Sequence, residues 1–412
     1  MKAGFARQNI TPECSMNMAG FDRRKGSSQG TLDPLEVCVL ALVDQQDAPF
    51  LMCVFDLLGT DSRLCEGVRD AVASRLEIAP ERIWVCATHT HSAPTGHFSG
   101  NQSYNEDYVN LLIARAVSAA EEALANVKEA AAANALTEAV GVASLRNRGR
   151  EGSEFPMPLP LFLLDDGEKP LTLARISCHP TVLDERNLLY SRDLPGQLRD
   201  GLASQRNCLV INGPCADLST RFTRQASNPE ELKRLGQKLT DAVLSAQAKP
   251  MSGFGAEIRT AEQVIYLSRA ASLSGEVREN ILAALRQKAA ECTDPQALRE
   301  YDSRIAVLER TAVGAEKNRK IRIGAVNPGG CILVGVPFEV DYADGLELEQ
   351  TLSRIAGQDV ILVCYAFGYD GYLPSGAPLS AESSYEDIAS RYLPESRAQV
   401  WECAKQCVTS VM

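Results

Sequence analysis

The 412-residue chain reads as an α/β protein: a single large domain, residues 1–412, of mixed β-sheets flanked by helices, with a helical hairpin inserted at about residues 270–315. Three observations predict this. Short apolar runs of strand length alternate with longer segments of helical periodicity. No internal repeat and no Pro/Gly/Ser-rich linker divides the sequence. The only four histidines, His89, His91, His97 and His179, sit in turn-like segments directly behind apolar runs. Strand ends of that kind are where α/β folds present ligands.

The elements follow in order. Leu35–Val43 and Phe50–Phe55 make a hairpin around the Asp44–Asp47 turn. Ser62–Leu76 is helical, with Leu64, Val68, Val72 and Leu76 at helical spacing. Ile83–Cys86 is a short buried strand leading into Thr88–His97, and Asp107–Ala133 reads as one long Ala-rich helix. Ala139–Ser144 and Leu171–Ser177 are strands, the latter leading to His179, and Cys208–Ile211 is another, leading to Asn212-Gly213-Pro214. Helices are expected at Pro229–Ala246, Gly275–Glu291 and Pro295–Thr311, the last two forming the hairpin between strands Ala256–Leu267 and Lys320–Ala325. Cys331–Gly335 and Val360–Tyr365 are further buried strands, and Glu395–Val411 is a closing helix.

Composition narrows the function. Hydrophobic content of 45% with 23% charged residues is that of a soluble globular chain. A net charge of −11, with Arg23-Arg24-Lys25 as the densest basic cluster, argues against nucleic acid or an anionic membrane as partner. No apolar run reaches the length of a membrane span, and the N-terminus lacks the apolar core of a signal peptide. The 13 cysteines are scattered through apolar runs and read as small buried hydrophobes in a reducing compartment, so a cytoplasmic protein is expected. Cys403 and Cys407 stand four apart on the last helix without further ligands nearby, a weak metal signal.

Thr88-His89-Thr90-His91-Ser92-Ala93-Pro94-Thr95-Gly96-His97 holds three of the histidines. In an extended segment, His89 and His91 project from the same face and can converge on one centre. Neutral imidazole is the commonest protein ligand for zinc and the usual proton carrier near pH 7. His179-Pro180-Thr181 supplies another imidazole from a second strand end. The bland alternative for each histidine is a hydrogen-bonded core residue.

Further motifs follow in register. They are Ala87-Thr88-His89-Thr90-His91-Ser92-Ala93-Pro94, Cys178-His179-Pro180-Thr181, Ser191-Arg192-Asp193-Leu194-Pro195-Gly196, Asp217-Leu218-Ser219, Val336-Pro337-Phe338-Glu339, and Tyr369-Asp370-Gly371-Tyr372-Leu373-Pro374 with Tyr385-Glu386. In kind and order they resemble the N-terminal catalytic domain of the neutral, non-lysosomal ceramidases, from about residue 87 to residue 386. Ala3-Gly4 with Ile10-Thr11-Pro12 is similar to that family's opening strand.

The resemblance implies zinc held by His89, His179, Glu339 and Tyr372. It implies His91 and Tyr385 as oxyanion-stabilising groups and Ser219 as the serine often regarded as the nucleophile. It also aligns Asn147-Arg148 with an Asn-Arg pair at the active-site edge, making Arg148 a substrate-binding candidate. His97 has no counterpart and either lines the substrate entrance or bonds a loop. Other readings stay open: Glu339 can cap a helix starting near Asp341, Tyr372 can cover the core, and Ser219 can belong to a turn. No Gly-x-Ser-x-Gly elbow surrounds Ser219.

The chain departs from that family in two respects. It has no room for a C-terminal immunoglobulin-like domain, and Ser92-Ala93-Pro94-Thr95-Gly96 stands where the family has Ser-Gly-Pro-Gly-Gly. The expectation is therefore a zinc-dependent hydrolase of a linear N-acyl amide other than long-chain ceramide. A zinc esterase or lactonase and a non-catalytic metal-binding protein are the competing readings.

Overall fold

A computed structural model describes residues 1–99, 101–146, 155–251, 253–268, 275–310 and 318–412. The fold is mixed α/β. Strands β1 (Lys2–Asn9), β2 (Glu36–Val43), β3 (Pro49–Phe55) and β4 (Ile83–Ala87) form one sheet in the order β4-β3-β2-β1, extended where Lys128–Glu129 pairs with β1. The β2–β3 hairpin turns on Asp44, whose carboxylate accepts from the N–H groups of Gln46 and Ala48, each at 3.0 Å. β3 and β4 run parallel, so their connection crosses over through α1 (Ser62–Leu76). The Asp61 side chain caps α1 by accepting from Leu64 N–H at 2.9 Å, and Leu64, Val68 and Val72 are buried.

The Ala-rich helix is shorter than expected. α2 (Glu106–Ala125) ends at Asn126, and Ala131–Leu145 is instead strand β5. Alanine favours helix by less than about 1 kcal/mol per residue, a preference that a long strand partner overrides. That partner is β6 (Phe155–Asp165), paired antiparallel with β5 from Ala131 to Ala139 and again at Ala143. Pro156, Pro158 and Pro160 alternate along β6 in the stretch paired on one side only, so their missing N–H groups face the open edge. β7 (Leu171–Ile176), β8 (Asn207–Asn212) and β9 (Leu218–Ser219) complete the order β8-β7-β6-β5-β9, with Lys249–Pro250 also pairing with β5. β7 and β8 are parallel, with α3 (Asp193–Leu202) between them and α4 (Pro229–Leu244) packed on α3 and β5.

The third sheet runs β10 (Arg259–Ser268), β11 (Asn318–Asn327), β12 (Cys331–Gly335), β13 (Asp359–Val363). Helices α5 (Gly275–Glu291) and α6 (Pro295–Arg310) pack together between β10 and β11, as the hairpin reading expects. α7 (Tyr342–Ala356) crosses over between the parallel strands β12 and β13. α8 (Tyr385–Ala389) lies against α6, and α9 (Ser396–Val411) covers β10 and β11.

One plan recurs. Each of these three sheets holds one parallel pair joined through a helix: β3/β4, β7/β8 and β12/β13. Segments of these pairs and the turns behind them bond to one another, Ala87 N–H to Tyr365 O at 3.1 Å, Cys364 N–H to Asn212 O at 2.9 Å and Phe367 N–H to Val85 O at 2.8 Å. Every cysteine is a free thiol, and all but Cys14 and Cys292 are buried, as their apolar surroundings in sequence suggest. Among the described residues no helix is long and apolar enough to cross a membrane.

Candidate metal centre and active site

The chain behind β4 carries the first ligand candidates. Thr88 N–H bonds Phe55 O at 2.9 Å and His89 N–H bonds Leu57 O at 3.0 Å, which turns the backbone out of the sheet. His89 has φ of +67°, a left-handed conformation uncommon for a non-glycine residue and most often found at functional sites. Tyr365 and Phe367, just behind β13, share that conformation with φ of +58° and +64°. Tyr365 stacks on the His89 ring, centroids 4.1 Å apart. His179 follows β7, its N–H donating to Leu218 O at 3.0 Å. The Asn212 amide ties the two histidine segments together, donating to Thr88 O at 3.3 Å and Cys178 O at 3.1 Å.

Glu339 lies behind β12. Its N–H bonds Gly371 O and its C=O receives Leu373 N–H, both at 2.9 Å. Its side chain turns to the histidines, and α7 is capped at Asp341 without a side-chain bond.

The bonding pattern decides which ring atoms carry lone pairs. His89 Nδ1 is 2.6 Å from Leu58 O, and His179 Nδ1 is 2.7 Å from Cys215 O and 3.1 Å from Leu218 O. Carbonyls only accept, so both Nδ1 atoms carry a proton, and in the neutral ring Nε2 presents a lone pair. Those lone pairs meet the Glu339 carboxylate: Oε2 is 3.0 Å from His179 Nε2 and 3.5 Å from His89 Nε2. Glu339 Oε1 accepts from the Tyr369 hydroxyl at 2.6 Å.

Burial, reinforced by nearby Arg146, pulls the His179 pKa down to about 4, so its ring is neutral at pH 7. Burial, with His89 and His179 alongside, also lowers His91 well below the ordinary histidine value. Burial pushes the Glu339 carboxyl up, whereas a protonated His89 or His179, whose Nε2 would then donate, pulls it well below the usual carboxylate range.

Acceptors facing acceptors call for a cation. Zinc bonds of about 2.0–2.1 Å in a tetrahedron separate neighbouring donor atoms by about 3.3 Å. The contacts here, 3.0 and 3.5 Å to the carboxylate and 3.3 Å between His91 Nε2 and His89 Nε2, bracket that spacing. The ligand atoms of His89, His91 and His179 all lie within 4.8 Å of one another, so this buried trio can hold a metal ion.

The remaining sequence candidates divide. His91, Ser219, Tyr372 and Tyr385 line one cleft of about 1300 Å³ together with Arg146. Tyr372 is bridged to Glu339 through the backbone, and its phenol oxygen accepts from Arg146 Nη2 at 2.9 Å. The Tyr385 ring meets Tyr372 edge-on at 5.9 Å. The Ser219 hydroxyl receives Arg221 N–H at 3.3 Å, and among the described residues no histidine or carboxylate bonds to it. His97 stands apart from the cleft lining, buried, with Nε2 2.7 Å from Gly59 O. Arg148 lies outside the described residues.

Sequence reasoning missed three groups. Arg146, two residues before Arg148, lines the cleft and pairs with Glu386 at 2.9 Å. Tyr365 and Tyr369 buttress His89 and Glu339; their only signal is a run of tyrosines behind a buried strand. Glycines make room here: a Cβ on Gly20 would lie 2.5 Å from the His91 ring, and one on Gly59 would lie 2.4 Å from the Tyr369 ring.

No protein-family model matches the chain, and a search of curated proteins finds no match either. Solved structures do match. The crystal structure of neutral ceramidase from Pseudomonas aeruginosa superposes with a TM-score of 0.79 at 17% identity, covering 100% of this chain and 74% of that one. A ceramidase complexed with C2 gives 0.78 at 16% identity, covering 100% and 75%. The chain thus has the fold of these ceramidases.

Proposed function

We propose that this chain is a zinc-dependent hydrolase that cleaves a linear N-acyl amide with metal-activated water, on a substrate other than long-chain ceramide. The observation that carries the reading is the placing of one Glu339 carboxylate oxygen 3.0 Å from His179 Nε2 and 3.5 Å from His89 Nε2, distances that bracket tetrahedral ligand spacing. The shared fold with ceramidases supports the choice of an amide bond. His89, His179 and Glu339 hold the metal, with the Tyr372 phenol as fourth ligand. When bound, zinc acts as a Lewis acid and makes water nucleophilic at neutral pH.

The other residues act on the substrate. His91 and the Tyr385 hydroxyl face the cleft and stabilise negative charge on the carbonyl oxygen, the role in which one donor typically contributes about a hundredfold or more. Burial raises the Tyr372 phenol well above its ordinary pKa and Arg146, 2.9 Å from its oxygen, only partly offsets that, so a bound metal would have to supply the rest of the pull towards the ionised form. Ser219, with no base bonded to its hydroxyl among the described residues, orients the substrate rather than attacking it. The thirteen free thiols fit a reducing compartment, in keeping with a cytoplasmic enzyme.

Metal analysis of the purified protein tests this reading, alongside hydrolysis of amide and ester substrates sharing one acyl chain. Bound zinc, loss of amide hydrolysis on chelation and recovery on zinc addition are expected. Tyr385→Phe is expected to lower kcat about a hundredfold with zinc content unchanged. Protein that binds no zinc, or amide hydrolysis that survives both His89→Ala and Glu339→Ala, would sink the proposal. A clear ester preference would overturn the amide assignment alone.

A further inference from the structure

The cleft above the metal cluster is built of charge. Phe21 and Ala306 supply its only purely apolar side chains among the described residues; no leucine, isoleucine, valine or methionine lines it. A pair of long alkyl chains needs apolar wall over most of its length, because burial against charged groups desolvates those groups without compensation.

Most of the charges are already matched. Arg186 pairs with Asp184 at 2.6 Å and Arg146 with Glu386 at 2.9 Å. Arg224 donates to the Thr181 carbonyl, and Arg304 to the Ser383 carbonyl at 3.0 Å. Glu309 and Glu382 are held from outside the lining by Arg286 and Lys288. Arg23, Arg221 and Arg299 differ: among the described residues none of the three guanidinium groups makes a hydrogen bond or ion pair, and of these Arg221 and Arg299 lie close enough to repel one another. These two face the cleft from opposite sources, Arg221 just behind Ser219 and Arg299 on helix α6 of the inserted hairpin. Burial weakens the hold of Arg221 on its proton; Glu300 opposes this, and Arg146, Arg299 and Arg224 add to it. A half-buried guanidinium among three other arginines, with the single carboxylate of Glu300 nearby and no bonded partner, is a setting that an oxyanion relieves.

We propose that the cleft takes a small amide bearing a carboxylate, seated between Arg221 and Arg299 while the scissile carbonyl lies near His91 and Ser219. This rests on the amide-hydrolase reading and specifies its substrate class. Hydrolysis forms the C–O bond from water, breaks the C–N bond and passes a water proton to the departing amine, so the carboxylate serves only to position the substrate.

The test uses the full-length, zinc-loaded protein with N-hexanoylglycine against its neutral analogue N-hexanoylglycinamide, and N-succinylbutylamine against its carboxamide. N-hexadecanoylsphingosine is the apolar control. In at least one pair the carboxylate form is expected to be favoured in kcat/KM by about tenfold to a hundredfold, the range of a charge-assisted bond. The double variant Arg221→Met, Arg299→Met should bring that ratio close to one, with Arg221→Lys retaining part of it. Zinc content and circular dichroism show that each variant is folded. Preference for the sphingosine amide, equal rates within both pairs, or a ratio unchanged in the double variant would overturn the proposal. If no amide is hydrolysed, calorimetric titration with N-hexanoylglycine decides: arginine-dependent binding keeps the anion seat and rejects the hydrolase, and no binding rejects both.

Discussion

Glu339→Gln separates the two demands on the metal cluster. In the wild type a carboxylate oxygen faces the His179 lone pair at 3.0 Å, and its other oxygen is satisfied by Tyr369. A glutamine can keep the Tyr369 bond through its carbonyl and turn an N–H toward His179 Nε2. The substitution then replaces an acceptor–acceptor contact with a hydrogen bond in a buried place. An unsatisfied buried polar group costs about 1–3 kcal/mol, more when charged, so the metal-free variant should be more stable than wild type by about that amount. For a chain of this size each kcal/mol moves the melting midpoint by about 2 °C, which gives a rise of about 2–6 °C.

Zinc should reverse the order. At a free zinc concentration a thousandfold above Kd, wild type gains about 4 kcal/mol. The variant loses a charged ligand and with it at least the tenfold to hundredfold in affinity that even a supporting partner provides. Thermal melts at pH 7.5, with chelator and then with excess zinc, measure both effects. A metal-free variant that melts below wild type would show that Glu339 and His179 are a bonded pair, and the lone-pair reasoning would be wrong. A wild type that gains nothing from zinc would refute it from the other side.

Two further outcomes concern the scaffold. Burial lowers the His97 pKa from its ordinary 6.5 to about 4. The unfolded chain therefore takes up the proton first, and stability is full above pH 6.5 and falls as pH drops toward 4. His97→Gln should remove about 2–3 kcal/mol of the loss measured by urea unfolding between pH 7 and pH 4.5; equal slopes in both proteins would contradict this. Arg199 and Asp56 form a buried ion pair beneath the His89 turn, where Asp56 also accepts from Thr88 Oγ1 at 3.3 Å. Arg199→Met should cost about 3–5 kcal/mol, and adding Asp56→Asn should recover part of it; a loss below 1 kcal/mol would show the pair to be immaterial.

The parts of the site legible in sequence are those that depend on local pattern. His89 and His179 announce themselves because histidine is scarce and each follows a buried apolar strand. Glu339 does the same behind β12, once motif order is considered. What escaped depends on pairing between distant segments. Ala131–Ala133 are helix formers by composition, but the strand partner that claims them begins two dozen residues later. Arg146 carries no local signal of its own, and the ion pair with Glu386, 240 residues away, is what marks it as a site residue. The stacking of Tyr365 on His89 likewise joins chain ends of two different sheets. Periodicity sees which residues are buried, not which strand lies beside which.

Because three sheets each contribute one strand end, the order of synthesis matters. His89 emerges from the ribosome about 250 residues before Glu339. At about 5–20 residues per second the two are separated by roughly 10–50 s. During that interval the nascent chain carries imidazoles without their carboxylate, alongside thiols that themselves attract zinc. On the proposed ligand set, tight metal capture therefore waits for Glu339. A ribosome stalled before residue 339 holds a polypeptide that lacks the carboxylate of the proposed ligand set, so on that proposal zinc retention would report translation past Glu339.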